Sequence, residues 1–359
     1  MKSKQLVTFV LALAFLAGAV QAQAFTPVQI FGTWHCGDDY CTWGTVPDMV
    51  QFDQENHWLI DRGDGVPSVN LVVLAFVQPL KLLNQTTDEQ TLNGLQRGMT
   101  QEVVDYFKSR GVRVMLSIGG ITYTDFWTQA LAQDATQLGL NAAAVASQLG
   151  VGIEIDYEEN TNPDLVGLEA FINAYRSVHP YDPTGTNHAA RLTIDLAAGD
   201  RYLIPITRKA TADWLNTTNP VLDYANAMVT ARPYKRGTAA TNNWQEHVDG
   251  KPQYGPPILP LAPAKFTGAL FLTSRSSLDN CVDYQNSLQA ETRDFVESVA
   301  PNGAGTTSGM LGFMFWSSGC SAVRSLCTTP ADNNSCEGGI GVASSVLNVP
   351  VPMPALRQN

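Results

Sequence analysis

The feature that most constrains the fold is a series of eight short runs of apolar and β-branched residues. These runs cover residues 27–34, 68–77, 113–120, 151–158, 191–199, 224–230, 266–274 and 310–316. Strands that are buried on both faces have near-continuous apolar sequences of this kind. Amphipathic patterns with helical spacing lie between several runs, including residues 100–111 and 165–178. Eight strands that alternate with helices predict an α/β protein, a (β/α)8 TIM barrel.

An open, doubly wound sheet is the alternative α/β architecture. It is disfavoured because no glycine-rich phosphate loop follows the first run. The 359-residue chain is long enough for one barrel, and its sequence has no internal repeat and no Ser/Thr-rich linker. We therefore predict a single domain over residues 25–348, followed by a tail over residues 349–359.

The N-terminus predicts export from the cell. Lys2 and Lys4 precede an apolar run over residues 6–20, and Ala22 and Ala24 offer a cleavage site. This is the pattern of a secretory signal peptide, which we assign to residues 1–24. A membrane anchor is the competing interpretation, but the run is too short to cross a bilayer. We expect a secreted, extracellular protein, or a periplasmic one if it is retained, with no membrane partner.

Six cysteines in an exported chain predict disulfide bonds. Cys36 and Cys41 are close enough in sequence to close a local loop. The other four leave several pairings open, and they are Cys281, Cys320, Cys327 and Cys336. A zinc site is the competing interpretation, but the sequence has no CxxC and no HExxH motif. We therefore predict no metal and no cofactor.

The charge of the chain limits its partners. The net charge is −11 at pH 7, whereas nucleic acids and anionic membranes attract basic surfaces. We therefore expect a neutral substrate and no nucleic-acid partner.

The fourth run carries three carboxylic acids, Glu154, Asp156 and Glu158, at two-residue spacing. Alternate residues of a strand share a face, so the three side chains point the same way, and Ile153 and Ile155 point the other way. We expect the acids to face the barrel interior and the isoleucines to face the helices. Glu158 would then lie nearest the C-terminal rim, where barrel enzymes have their active sites.

Such a cluster is energetically costly, because desolvation and mutual repulsion raise the pKa values of buried carboxyl groups. Proteins keep clusters of this kind mainly at acid–base sites. An exposed acidic edge strand is one alternative, but the apolar face of the run argues against it. A site for a hard cation is another, but few further oxygen ligands lie nearby in the sequence.

Three motifs carry a resemblance to glycoside hydrolase family 18. The sequence VGIEIDYE (151–158) resembles the DGxDxDxE signature, with Val151 and Glu154 in place of aspartates. The sequence SIGG (117–120) matches the SxGG motif of the preceding barrel strand, and FMFW ends in Trp316, which matches the tryptophan of the last strand. The motifs occur in the family's order from about residue 27 to residue 345.

The resemblance implies a substrate-assisted, retaining glycosidase mechanism, one of the exceptions to the two-carboxylate scheme. Glu158 would protonate the glycosidic oxygen while the acetamido oxygen of the substrate attacks the anomeric carbon. Asp156 would orient the acetamide, and Glu154 would share a proton with Asp156. Trp316 would form the floor beneath the reactive sugar. Ser117 and the two glycines of SIGG would give the backbone room beside the acids.

The sixth run departs from the family pattern. The family has a tyrosine there that holds the acetamido oxygen, and this sequence has Thr230. The threonine hydroxyl has a shorter reach, so Tyr234, Tyr224 or Arg232 are candidates to compensate. We retain Thr230 and Tyr234 as predicted substrate-binding residues.

Other residues are candidates for sugar contacts or for the barrel centre. The polar stretch over residues 242–257 predicts a long loop on the active face. Trp244 in this loop, and Trp34 at the end of the first run, are predicted to stack on the substrate. Asp195, in the fifth run, shares a face with Thr193 and would reach the barrel centre or make a structural hydrogen bond.

These features predict an endo-acting chitinase that binds chitin or another N-acetylglucosamine-containing glycan as a monomer. The short interval before the last run leaves no room for the α+β insertion of family members with deep clefts, so we expect an open groove. An endo-β-N-acetylglucosaminidase acting on N-glycans would use the same residues. A catalytically silent chitinase-like lectin is the alternative outside the enzymes, and the presence of Glu158 argues against it.

Overall fold

The computed structural model describes residues 29–38, 41–61, 65, 67, 69–197, 202–215, 218, 220–228, 244–271 and 310–318. Several predicted features lie outside these ranges: the signal peptide, the tail, Thr230, Tyr234, and the cysteines at 281, 320, 327 and 336. The interval before the last strand, where an insertion would occur, also lies outside them.

Eight parallel strands close into a barrel, in the order β1-β10-β9-β8-β7-β6-β5-β2. Each overlaps one of the eight predicted runs, so the predicted (β/α)8 barrel is confirmed. The barrel strands are β1 (Ile30–Cys36), β2 (Leu71–Val77), β5 (Arg113–Gly119), β6 (Gly152–Asp156), β7 (Leu192–Ala197), β8 (Ala225–Met228), β9 (Phe266–Phe271) and β10 (Gly312–Ser318). A small hairpin, β3 (Thr91–Leu92) and β4 (Leu95–Gln96), follows β2.

Helices pack around the barrel, and the predicted helix at residues 165–178 is confirmed over the same residues. In the described residues these helices include α1 (Met49–Ile60), α2 (Pro79–Leu83), α3 (Gln101–Lys108), α4 (Thr124–Leu149), α5 (Leu165–Val178) and α6 (Ile204–Lys209). The side chains of Thr100 and Asp164 cap the N-termini of α3 and α5. No helix in the described residues is both long enough and apolar enough to span a bilayer.

Along each barrel strand, successive side chains point alternately into two apolar layers. Ile153 and Ile155 belong to the layer between strands and helices, whereas Trp34 and Met115 belong to a second cluster inside the barrel. The predicted division of β6 into an apolar outer face and an acidic inner face is therefore confirmed. The predicted disulfide is also confirmed, because Cys36 at the end of β1 is bonded to Cys41.

A buried ionic network lies at the end of the barrel where the strands begin. The Asp223 carboxylate accepts from Arg176 Nη2 at 3.0 Å and from the Leu192 N–H at 2.8 Å, and Arg191 Nη1 lies 3.4 Å from it. All three charged side chains are largely buried. Removing one partner of a buried pair leaves the other charge without compensation, which costs several kcal/mol.

We predict that Asp223→Ala lowers the free energy of unfolding by about 3 kcal/mol, because it leaves two arginines without their counter-charge. Urea unfolding of the variant and the wild type measures the loss. Asp213→Ala is the control: it removes an exposed carboxylate 2.7 Å from Lys209 Nζ, and an exposed pair contributes less than about 1 kcal/mol. Equal losses in the two variants would contradict the role of Asp223.

Candidate active site

The three predicted acids occupy the expected positions on and after β6. Glu154 and Asp156 are buried in the barrel interior. Glu158 follows the last residue of the strand at the C-terminal end of the barrel, and it is partly exposed. The acids thus form a line from the barrel centre to the rim.

Two glycines of the SIGG motif allow close packing beside this line. Gly119 has a φ of +123°, and a Cβ there would lie 1.9 Å from the backbone oxygen of Asp156. The N–H of Gly120 donates to the same oxygen at 3.0 Å. Gly120 also has a positive φ, and a Cβ there would contact the Phe76 ring at 2.8 Å. Only glycine meets both requirements, so the predicted role of this motif agrees with the structure.

Glu154 is held by hydrogen bonds from two other strands, β1 and β8. Trp34 Nε1 donates to Oε1 at 2.7 Å, and the Asn226 side-chain amide donates to Oε2. Thr267 Oγ1 donates to Asn226 Oδ1 at 2.6 Å, which orients the amide N–H groups towards Glu154. Burial raises the pKa of Glu154 to about 7, although these hydrogen bonds oppose the increase.

A fourth carboxyl group, Asp195 on β7, lies in the same cluster and is 1% exposed. It is beside Asn226 in the register of β7 and β8. Burial raises the pKa of Asp195 well above its ordinary value, as do the charges of Glu154 and Asp156. Burial and the charges of Glu158 and Glu154 likewise raise the pKa of Asp156. The cluster therefore retains protons at a pH where exposed carboxyl groups are ionised.

Glu158 is oriented from outside the barrel. The Tyr202 hydroxyl donates to Glu158 Oε2 at 3.3 Å and lies 3.1 Å from its backbone oxygen. The Leu203 N–H donates to Asn160 Oδ1 at 2.7 Å, which joins the loop of Tyr202 to the loop after β6. Burial raises the pKa of Glu158 to about 7, opposed by hydrogen bonds from Tyr202 and from the backbone of Ile121.

Trp316 lies on β10 at the edge of the inner apolar cluster and is partly exposed. The Phe76 ring stacks on it, with centroids 5.5 Å apart and an angle of 20° between the planes. The Trp34 ring is 6.3 Å away at 54°. Phe76 and Trp34 thus fix the orientation of the Trp316 indole.

Two of the predicted stacking residues have other environments. Trp34 is 3% exposed and donates to Glu154 from within the barrel, so it has no free face for a sugar. Trp244 lies in a helical segment that covers residues 244–249 of the described chain, on the outside of the barrel. Its buried ring lies 5.5 Å from that of Phe313, and a Cβ on Gly268 would contact it at 2.3 Å. The stacking roles of Trp34 and Trp244, and the active-face loop at this segment, are therefore wrong predictions.

Three further residues contribute to the site and were not predicted: Asn226, Tyr202 and Phe76. The sequence does contain an indication for Asn226, because it is a polar residue at an inward-facing position of an apolar run. The indication for Phe76 was weaker: it is the penultimate residue of the second run, near the rim. Tyr202 lies in a loop after the fifth run, and its position depends on contacts with a distant loop.

The barrel resembles solved chitinase structures. A Group IV chitinase from Ostrinia furnacalis, in complex with allosamidin, matches with a TM-score of 0.53 and 12% identity over 89% of this chain and 98% of that one. A chitinase from Rhizomucor miehei matches with 0.52 and 13% identity over 87% and 99%. A family 18 chitinase from Pseudoalteromonas aurantia matches with 0.50 and 16% identity over 80% and 94%.

The chain shares the barrel fold of these chitinases. The predicted resemblance to glycoside hydrolase family 18 is thereby confirmed for the fold. The sequence matches no protein-family model and, at a significant level, no curated protein sequence. At such low identities the likeness to the solved structures concerns the fold alone, so the chemistry of the site is argued from its own residues.

We predict that Glu158→Gln stabilises the protein at pH 8 and not at pH 4. The folded-state pKa of Glu158, about 7, lies above its ordinary value of 4.5, so ionisation of this group makes stability fall as the pH rises from about 4.5 to about 7. An uncharged amide avoids that loss, which is about 1–2 kcal/mol after solvent screening of a partly exposed group. Urea unfolding at the two pH values measures the difference. Glu102→Gln, on the exposed side of α3, is the control, and a Glu158→Gln gain that is equal at both pH values would contradict the prediction.

Proposed function

We propose that the protein is a secreted glycoside hydrolase that cleaves β-1,4 bonds next to N-acetylglucosamine in chitin. The observation that carries this proposal is the position of Glu158: a partly exposed acid with a raised pKa, at the rim of a family 18 fold, above a buried cluster of carboxyl groups. Export is supported by the N-terminal sequence and by the Cys36–Cys41 disulfide, since such bonds persist in oxidising compartments.

Glu158 acts as the general acid. Its pKa of about 7 keeps the carboxyl group protonated in mildly acidic conditions, and an acid with a pKa near the working pH transfers a proton most effectively. The proton goes to the glycosidic oxygen as the bond from that oxygen to the anomeric carbon breaks. The acetamido oxygen of the substrate forms the new bond to this carbon, giving an oxazolinium. Water then opens the oxazolinium, with Glu158 as the base, and the configuration is retained.

Asp156 orients the acetamide from below Glu158. Its Oδ1 has no hydrogen-bond partner among the described residues, so it is available to accept from the acetamide N–H. As positive charge develops on the sugar ring, an ionised Asp156 becomes more favourable, and the proton that it holds passes to Glu154 or Asp195. Trp34 and Asn226 keep Glu154 in place for this exchange.

Trp316 is the floor of the sugar site. An indole face contacts the apolar C–H face of a pyranose well, and the stacked Phe76 ring prevents the indole from turning. Tyr202 positions the acid and adjusts its pKa, since its hydroxyl donates to the ionised form of Glu158.

Glu158→Gln is predicted to lower kcat on chitin oligomers at least about 100-fold while binding is retained, because the amide keeps the shape but has no proton to transfer. Product masses and oligomer binding are measured for both proteins. Glu159→Gln is the matched control: its carboxylate accepts from the backbone N–H groups of Thr161 and Asn162, and it should keep full activity.

The same assay separates the competing functions. Release of whole glycans from a high-mannose glycoprotein, without cleavage of chitin oligomers, would assign the site to an endo-β-N-acetylglucosaminidase. Binding of chitin oligomers by the wild type without cleavage of either substrate would assign it to a lectin and overturn the proposed hydrolase.

Tyr202→Phe is predicted to move the basic limb of the kcat/KM profile upward by about half a unit to one unit. The hydroxyl stabilises ionised Glu158, so its loss raises the pKa of the acid, which stays protonated to a higher pH. Tyr106→Phe is the control, because it removes a hydrogen bond to Asp53 on the outer helices. An unchanged or downward-shifted limb in Tyr202→Phe would show that Tyr202 does not set the pKa of Glu158.

A further inference from the structure

A second charged layer lies inside the barrel at the end opposite the acids. Arg113 is the first residue of β5, and Arg191 directly precedes β7. Each lies two residues before an inward-facing residue, Met115 or Thr193, and therefore shares its face. The two arginine side chains thus enter the barrel from its N-terminal mouth. Gly152, on the strand between them, has no side chain, and a Cβ there would lie 2.8 Å from the Cβ of Arg191. The sequence therefore makes room for two guanidinium groups in one layer.

These two arginines are buried without a full set of partners. Arg113 is 6% exposed and Arg191 is 3% exposed. Arg113 Nη2 donates to the backbone oxygen of Gly185 at 3.2 Å. Its Nε and Nη1, and the Nη2 of Arg191, have no hydrogen-bond partner in the part of the chain that the structure describes. An unpaired buried donor destabilises the folded state, and a charged one does so more strongly.

The acidic residues nearby are already engaged. Asp223 is shared between Arg176 and Arg191. The Asp182 carboxylate accepts from the Thr184 hydroxyl and from the Thr184 and Asn187 N–H groups of its own loop. Within the described ranges, two carboxylates thus lie near Arg113, Arg176 and Arg191.

Further basic groups add to the positive potential. Lys265 Nζ lies 3.3 Å from the backbone oxygen of Asp223. Burial, and then the charges of Arg113, Lys108 and Arg191, lower the pKa of His188 to about 4. Guanidinium groups cannot relieve the excess by losing a proton near neutral pH.

We propose that the N-terminal mouth of the barrel binds one small inorganic anion, held by the free N–H groups of Arg113 and Arg191. Such an anion supplies both the missing acceptors and the missing negative charge, whereas a water molecule supplies only the acceptors. The site is at the opposite end of the barrel from the acids, so it stabilises the fold and takes no part in cleavage. It does not depend on the proposed function.

The test measures the melting temperature of the full chain in sodium gluconate, and then with gluconate replaced by chloride or inorganic phosphate at constant ionic strength. We expect at least one of the two small anions to raise the Tm in a saturable way, by about 2 °C or more. The measurements in chloride and in phosphate distinguish a site for a monatomic ion from a site for an oxyanion. Identical Tm values in all three salts would overturn the proposal.

Variants locate the effect. Arg113→Gln should abolish the anion-dependent rise, and Arg110→Gln, a nearby exposed arginine, should keep it. If Arg113→Gln does not fold, Arg113→Lys replaces it and should weaken the dependence. Crystals of the wild type soaked in sodium bromide, or in phosphate if phosphate alone raises the Tm, provide an independent measurement. Electron density for the anion within hydrogen-bond distance of both arginines supports the site, and its absence overturns it.

Discussion

Burial of several carboxyl groups determines how the C-terminal half of the barrel interior is built. Four acids lie between the centre of the barrel and its rim, and desolvation is the largest cause of the raised pKa of each. A packed interior cannot hold four negative charges in one cluster. The cluster must therefore retain protons or obtain donors, and the residues around it supply donors to Glu154 and Glu158.

The fold provides those donors from several strands. Trp34 on β1 and Asn226 on β8 both reach Glu154, and Thr267 on β9 fixes the amide of Asn226. The backbone of β5 approaches β6 closely only because residue 119 is a glycine. The inward positions thus divide into an acidic layer near the rim and a basic layer, with Arg113 and Arg191, at the opposite mouth. Apolar residues such as Met115 separate the two layers.

The local pattern of apolar and charged residues was enough to predict the barrel and the acidic inner face of β6. The alternation of Glu154 and Asp156 with isoleucines fixes both faces of β6, because strand geometry has a period of two. Partners that depend on long-range packing were not predictable in the same way. Trp34 donates to Glu154 across 120 positions of sequence, and no local signal distinguishes that contact from a surface stacking role. Trp244 lies in a polar stretch, so its sequence context indicated an exposed loop, although Gly268 leaves the space that buries it.

We expect the acids of this cluster to share protons near neutral pH. A carbon-13 NMR titration of the side-chain carboxyl groups tests this, in protein labelled at Asp and Glu, with Glu154→Gln and Glu158→Gln variants for assignment. Glu154 and Glu158 should titrate near pH 7, and Asp156 and Asp195 should titrate well above ordinary aspartates. Titration of all four groups below about pH 5, as in exposed carboxylates, would contradict it.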